Sequence, residues 1–361
     1  MTELVHGVEV SRELRERARN PPIRSGAGCL AAELARVPEP FAVLTQPEVW
    51  RSVPEAARSR AAHVAFVHSL DRDALDATER ALPRVAAVVG IGGGMVVDNA
   101  KWVAWRRAIP YFPVPSSVSV DAFVSNTIAA REASRVVYLG FVVPEVVIVD
   151  PTLIATAPAR FNRAGVGDLL SIHTALWDWE RGAAHGGAAF LPAIAARSAR
   201  ILDRTDELAS AIGRTEPEGL IHIAEAFAEV NSLIIDAGHS QPEEGSEHYL
   251  AYALEEETGK SFVHGEVVGL GVVVMATLQG NRPERARSIL ARCQVDWQPR
   301  NLGITRAAFV RALSALPSFA VRTRAPWSVA NQAPIPADVV EELLGGPLAD
   351  LEFAPPRAHP A

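Results

Sequence analysis

Asp168, His248 and His264 are the residues of this chain whose types combine most readily into chemistry. One carboxylate and two imidazoles form a donor set for a divalent cation. Asp168 follows Gly165 and Gly167 in "AGVGDLLSIHTALWDWE" (164–180), where it would open a helix. His248 lies within the first turn or so of a helix in "SQPEEGSEHYLAYALEE" (240–256), and His264 stands just before another in "SFVHGEVVGLGVVV" (261–274). Side chains from three helix starts can close around one ion and leave positions open for a substrate, as a catalytic metal site requires. Plainer roles exist for each: an N-cap for Asp168, and surface or hydrogen-bonded imidazoles for the histidines. The spacing from His248 to His264 matches no compact zinc motif.

A second candidate is "VVGIGGGMVVDNAK" (88–101). An apolar strand ends at Gly90, and the glycines after it let backbone N–H groups approach an anion. A helix starting near Met95 would aim its positive end at that anion. The pattern is neither GxGxxG nor a P-loop, and a tight strand-to-helix turn accounts for it equally well. Asp98 and Lys101 follow about one turn apart, as part of a polar site or as a surface ion pair.

These groups need elements to hold them. "PFAVLTQ" (40–46), "AAHVAFVHS" (61–69), "RVAAVVGIGGG" (84–94), "IPYFPVPSS" (109–117) and "VVIVDP" (146–151) read as strands, with helix-compatible stretches such as 71–82 between them. "SRVVYLGFVV" (134–143) reads as a hairpin arm. Alternating strands and helices predict a parallel sheet covered by helices. After about Pro151 the texture changes: 188–212, 219–238, 245–257 and 266–279 carry helical periodicity. The chain therefore divides near residue 155, into an α/β domain (1–155) and an all-α, metal-binding domain (156–361). The tail from Ala354 reads as frayed.

Composition narrows the function classes. The 361 residues are 48% apolar and carry a net charge of -7, with no basic block, which argues against a nucleic-acid partner. No apolar run reaches membrane-spanning length, and the opening residues lack a signal peptide's apolar centre. Cys29 and Cys293 lie too far apart to suggest a disulfide framework or a Cys-based zinc site. A soluble cytoplasmic protein is the expectation.

Taken together, "GIGGGMVVDNAK", "VPSSVSVDAFVS" (114–125), "GVGDLLSIHTALWDWE", "GSEHYLAYALE" and "FVHGEVVGLG" resemble, in order, the iron-containing alcohol dehydrogenase and dehydroquinate synthase superfamily. Within it the match is to the glycerol-1-phosphate dehydrogenase branch, over roughly residues 40 to 330. The resemblance implies an N-terminal Rossmann-like domain that binds a nicotinamide cofactor and a C-terminal helical domain that carries the metal, with the active site in the cleft between them. Gly92, Gly93 and Gly94 would hold the pyrophosphate, with Asp98 and Lys101 on the following helix and Lys101 near the nicotinamide ribose. Ser116, Ser117 and Ser119 would line the nicotinamide side, and Asp121 would lie near the reacting carbon. Asp168, His248 and His264 would bind the metal, zinc in many relatives and iron in some. Glu247 and Glu266 flank these ligands as candidate supporting partners, or as helix N-terminal charges. His173 and His239 are candidate proton relays or bystanders.

Two departures bear on the substrate. Ile172 and His173 stand where relatives carry Lys, and Ser240-Gln241-Pro242 stands where they often read Ser-Arg-Pro. The missing positive charge admits an unphosphorylated polyol beside a polyol phosphate. The first strand ends in the neutral pair Thr45-Gln46 instead of an Asp that would select NAD, so NADP is admitted as well as NAD. The expected function is a metal-dependent, NAD(P)-linked dehydrogenase that interconverts a secondary alcohol and its ketone, working as a homo-oligomer on a small molecule. The first alternative is a sugar-phosphate cyclase of the same superfamily, which would use several phosphate-gripping basic residues and tends to supply Glu where this chain has Asp168. This chain has only Lys101 and Lys260 as lysines. The second is a non-catalytic binding protein on a retained scaffold.

Overall fold

The computed structural model describes residues 2–5, 8–132 and 135–356, arranged in two compact units. Unit 1 comprises Met1–Asn162 and Thr215–Gly238; unit 2 comprises Arg163–Arg214 and His239–Ala361.

In unit 1 the chain runs β1 (Thr2–Val5), β2 (Val8–Ser11), α1 (Arg12–Arg19), β3 (Ile23–Ser25), α2 (Leu30–Leu34), β4 (Phe41–Thr45), α3 (Pro47–Ser52), α4 (Glu55–Arg58) and β5 (His63–Phe66). It continues through α5 (Arg72–Ala81), β6 (Ala87–Gly92), α6 (Gly94–Arg107), β7 (Tyr111–Pro115), β8 (Ile128–Glu132), β9 (Arg135–Leu139), β10 (Val147–Val149) and α7 (Pro151–Ile154). The apolar runs of the sequence become a four-stranded parallel sheet of order β5-β4-β6-β7. Both faces of β4, β6 and β7 are buried, which is why they read as continuous apolar runs rather than alternating ones. Leu30, Phe41, Val43, Val89, Ile91, Val114 and Ile148 form the core. The chain winds outward from β4 to β5 in one direction and from β6 to β7 in the other. A switch point therefore falls between β4 and β6, and crevices at such points bind ligands beyond the carboxyl ends of the strands. β10 pairs in parallel with β3, and β8 with β9 forms the hairpin expected at 134–143.

The helix α10 (Pro217–Ala237) belongs to unit 1, although a single boundary near residue 155 predicts otherwise. The reason is its partnership with α1. Asn231 Nδ2 donates to the Ala18 carbonyl (3.1 Å), Arg15 donates to the Ile235 carbonyl (2.9 Å), and Arg19 pairs with Asp236 (2.7 Å).

Unit 2 takes most of α8 (Ala159–Ala184), then α9 (Pro192–Gly213), α11 (Ser246–Thr258), α12 (His264–Gln279), α13 (Pro283–Arg292), α14 (Pro299–Leu302), α15 (Arg306–Thr323) and α16 (Ala337–Gly345). α12 is buried around nearly its whole circumference, the signature of a central core helix. No helix among the described residues is long and apolar enough to cross a membrane. The tail is tied down further than expected: Ala354 bridges to Thr305, and its N–H donates to the Ile304 carbonyl (2.9 Å), while 357–361 lie outside the described residues.

Candidate metal centre and cofactor loop

Asp168, His248 and His264 come together in unit 2. Each offers a ligand atom, and these atoms lie within 4.8 Å of one another. Asp168 Oδ1 is 3.4 Å from His264 Nε2 and 3.9 Å from His248 Nε2. The expected position of Asp168 needs correction. It lies well inside α8 and does not open a helix, so it cannot be an N-cap. The glycines before it serve as a crossing point. A Cβ on Gly167 would overlap the carbonyl of Gly265, and one on Gly265 would overlap the carbonyl of Ala164. Without side chains there, α8 and α12 cross backbone to backbone, which sets Asp168 beside His264. Gly271 does the same for α11: its Cβ would overlap the Glu247 carbonyl. His264 is the first residue of α12, and His248 lies in the first turn of α11.

Asp168 and His248 are both buried, whereas His264 is about one-third exposed (32%) and opens the cluster to solvent. Asp168 Oδ1 is buried and has no hydrogen-bond partner among the described residues. Such an orphan acceptor costs about 1–3 kcal/mol, more when it is charged, unless a cation or proton answers it. Burial pushes the Asp168 carboxyl up to about 7, against the pull of His248. Burial alone would push the His248 imidazole down, but its bond to Glu247 and the charges of Glu244, Glu247 and Asp168 carry it up to about 10. A cation among these atoms would answer the carboxylate that burial otherwise drives toward its protonated form. Orphan oxygen, convergent nitrogens and donor chemistry all fit a metal such as zinc or iron.

Sequence reasoning missed part of the surroundings. Thr174 Oγ1 lies 2.6 Å from Glu247 Oε2, and Asp178 Oδ2 accepts from the backbone N–H (2.9 Å) and hydroxyl (2.5 Å) of Ser246. Both residues sit on α8 beyond Asp168, and their own i,i+4 spacing, which puts them on one face, was the available signal. His173 is turned away: its Nε2 is 2.7 Å from the Asn281 carbonyl, and Asn281 Nδ2 donates back to the His173 carbonyl (2.8 Å). His239 packs edge-on against Trp179 (5.2 Å). Glu266 is fully buried.

In unit 1, Gly93 precedes the first turn of α6, immediately beyond the carboxyl end of β6. Gly92 has no space for a side chain: a Cβ would lie 2.5 Å from Val96. Gly93 faces Ser117 Oγ, 3.5 Å from where its Cβ would be, and Gly94 faces Val120 and Ala122. The serine segment therefore runs beside the glycine loop, anchored by Ser116 N–H to the Gly92 carbonyl (3.1 Å) and Val118 N–H to Asn162 (3.2 Å). Ser116 is buried, while Ser117, Ser119 and Asp121 are partly exposed. Two expected cofactor residues are committed elsewhere. Thr45 is fully buried and donates to the Ile91 carbonyl (2.8 Å), tying β4 to β6. Lys101 is fully buried, with Nζ 3.1 Å from Asp98, 3.1 Å from Ser125 Oγ and 2.9 Å from the Thr127 carbonyl. Burial pushes the Asp98 carboxyl up, opposed by Lys101. This is the ion-pair alternative, buried rather than on the surface.

Comparison with known proteins identifies the family. The family model described as iron-containing alcohol dehydrogenase matches residues 41–158. A glycerol-1-phosphate dehydrogenase [NAD(P)+] of Hyperthermus butylicus is 32% identical over 289 residues, 76% of this chain and 80% of that protein. The chain belongs to the glycerol-1-phosphate dehydrogenase branch of the iron-containing alcohol dehydrogenase family. The enzyme of the same name from Thermofilum pendens is 32% identical over 284 residues, 75% of this chain and 80% of that one. Among solved structures, glycerol dehydrogenase from Schizosaccharomyces pombe superposes with a TM-score of 0.70 at 18% identity, covering 94% of this chain and 95% of that chain, a likeness of fold. Membership in this alcohol dehydrogenase family makes the chain an oxidoreductase.

Proposed function

We propose that the chain catalyses reversible hydride transfer between NAD(H) or NADP(H) and a polyol phosphate of the glycerol-1-phosphate kind, interconverting its secondary alcohol and the ketone. The observation that carries this reading is the buried, unpartnered Asp168 Oδ1 between two imidazoles, in a chain of this family. Asp168, His248 and His264 would hold a divalent cation, for which we place zinc before iron, although a carboxylate and two imidazoles with open positions suit both. When bound, the cation supplies Lewis acidity toward the substrate's oxygen.

The chain's own residues do the rest. The N–H groups at the start of α6, reached through Gly92, Gly93 and Gly94, bind the cofactor's pyrophosphate. Ser116, Ser117 and Ser119 orient the nicotinamide, and Asp121 hydrogen-bonds a substrate hydroxyl or moves its proton. Asp98 and Lys101 brace this wall from beneath. The neutral end of β4 at Thr45-Gln46 favours acceptance of NADP as well as NAD. Work in the cytoplasm as a homo-oligomer completes the proposal, and sedimentation tests the second point.

A specific observation supports a second substrate class. Ile172 and His173 are buried, and both lysines are committed, Lys101 to Asp98 and Lys260 to the Gly303 carbonyl (2.7 Å). Lys101 has all three N–H donors engaged and Lys260 is tied to Gly303, which supports an unphosphorylated polyol and counts against the cyclase. The deciding experiment follows absorbance of the reduced nicotinamide with dihydroxyacetone phosphate and with dihydroxyacetone. One cofactor oxidised per product formed supports the dehydrogenase; product formed without net cofactor change, or no turnover of either ketone, overturns it.

A further inference from the structure

We propose that Glu247 is a positioning residue for the metal centre: its carboxylate fixes the His248 imidazole in the tautomer that carries a proton on Nδ1 and presents Nε2 to the cation. The inference rests on the metal-site reading above.

The geometry begins with an unusual pairing. Consecutive helix positions do not face each other, yet Glu247 Oε1 lies 2.9 Å from Nδ1 of the next residue, His248. Glu247 does this by folding back over the start of α11, where Oε1 also accepts the N–H of the N-cap residue Gly245 at 2.5 Å. Its other oxygen, Oε2, is held by Thr174 Oγ1 on α8 at 2.6 Å. Glu247 is fully buried, so these bonds leave its carboxylate nowhere else to go. Gly245 is part of the device: a Cβ there would lie 3.1 Å from Glu247 Oε2 and 2.9 Å from Ala175 Cα.

Oε1 already accepts the Gly245 N–H and faces His248 as an acceptor, so Nδ1 is the donor and Nε2 is the nitrogen left to the cation, which would replace any proton held there. Nε2 is the atom that faces Asp168 Oδ1. A carboxylate behind a ligating imidazole also raises its basicity, and loss of such a partner typically weakens metal binding roughly 10- to 100-fold. Because Thr174 and Asp168 share α8, the same helix that supplies one ligand steadies the support of another.

The probe is zinc alone, added to metal-stripped protein and measured by chelator competition. Glu247→Gln keeps the shape and an acceptor but removes the charge, and Glu247→Ala removes both. The expected result is a zinc Kd raised roughly 10- to 100-fold in the Gln variant and further in the Ala variant, with the melting temperature of the stripped Gln variant close to that of the parent. A purely structural role would lower that melting temperature and leave the zinc Kd of the folded protein unchanged. A zinc Kd within threefold of the parent overturns the proposal. A second measurement needs no variant: NMR of the zinc-loaded parent with isotope-labelled histidine must show His248 bound through Nε2 and protonated at Nδ1. Coordination through Nδ1 overturns the proposal while leaving the metal site standing, whereas a parent chain that binds no divalent metal overturns both.

Discussion

Gly167 on α8 and Gly265 on α12 meet where neither has room for a methyl group, and each stands one residue from a metal-ligand candidate, Asp168 or His264. The close crossing and the convergence of those two side chains are one structural fact.

Gly167→Ala therefore separates the helices. Overpacking of this kind costs about 1–3 kcal/mol, and the displacement moves Asp168 away from His264. The expected outcome is a lower urea midpoint together with weaker zinc binding. A variant with the parent's midpoint and zinc Kd would show that the crossing is not tight in solution.

His264→Ala removes the partly exposed member of the triad without opening a buried cavity. The metal should be lost and the fold kept. Lewis acidity is worth several kcal/mol to a transition state, so turnover should fall roughly a hundredfold or more at ~1.4 kcal/mol per factor of ten. Equilibrium binding of NADH and NADPH should change little, since the glycine loop belongs to unit 1. Elemental analysis, steady-state kinetics and cofactor titration check the three points, and a metal-free variant with parental turnover would refute the role.

Gly93→Asp places a carboxylate where the pyrophosphate would bind. The backbone there has φ -80°, open to any residue, and the nearest atom to a new Cβ is Ser117 Oγ at 3.5 Å. Folding should survive while cofactor affinity falls at least tenfold, because charge repulsion and bulk act together. Parental affinity by fluorescence titration would remove the loop from the cofactor site.

The metal-stripped protein should lose stability as pH rises. Burial, with Glu247 adding, pushes the Asp178 carboxyl from 3.8 up to about 7. Asp168 moves the same way, to about 7. Both pKa values are raised on folding, so the folded chain keeps protons that the unfolded chain has released. The associated stability is complete below about pH 4 and is lost as pH climbs through about 7. Each group contributes a slope of at most ~1.4 kcal/mol per pH unit. Asp178→Asn cannot titrate, so its urea midpoint should fall less than the parent's between about pH 5 and about pH 8. Equal falls would assign the slope to other groups.

The sheet and the later helices were legible because burial leaves a pattern: β4, β6 and β7 are apolar throughout, α9 and α10 keep helical periodicity, and α12 is apolar nearly all round. The region 1–39 was not, since its short β3 strand and α1 carry little apolar sequence of their own. Their order comes from β10 and α10, which are remote in sequence. The metal triad was visible in residue types, but the placement of Asp168 was misread. Local rules take Gly165 and Gly167 as a helix start, while the fold uses Gly167 to bring in Gly265, and only the tertiary partner distinguishes the two uses. Lys101 and Thr45 were legible as polar residues at the right strand and helix, but not their partners. A buried amine bonded to Asp98, Ser125 and Thr127 and a surface ion pair share the same i,i+3 spacing.

The return of residues 215–238 to unit 1 means that the polypeptide changes sides at 162/163, 214/215 and 238/239. A scissor cut near residue 155 would leave the first fragment without the helix that Ala18, Arg15 and Arg19 grip, and would send that helix away with its apolar flank bare. The halves are woven rather than strung. Chimeras between relatives must trade whole threads of the weave, because a single splice point would tear one half open.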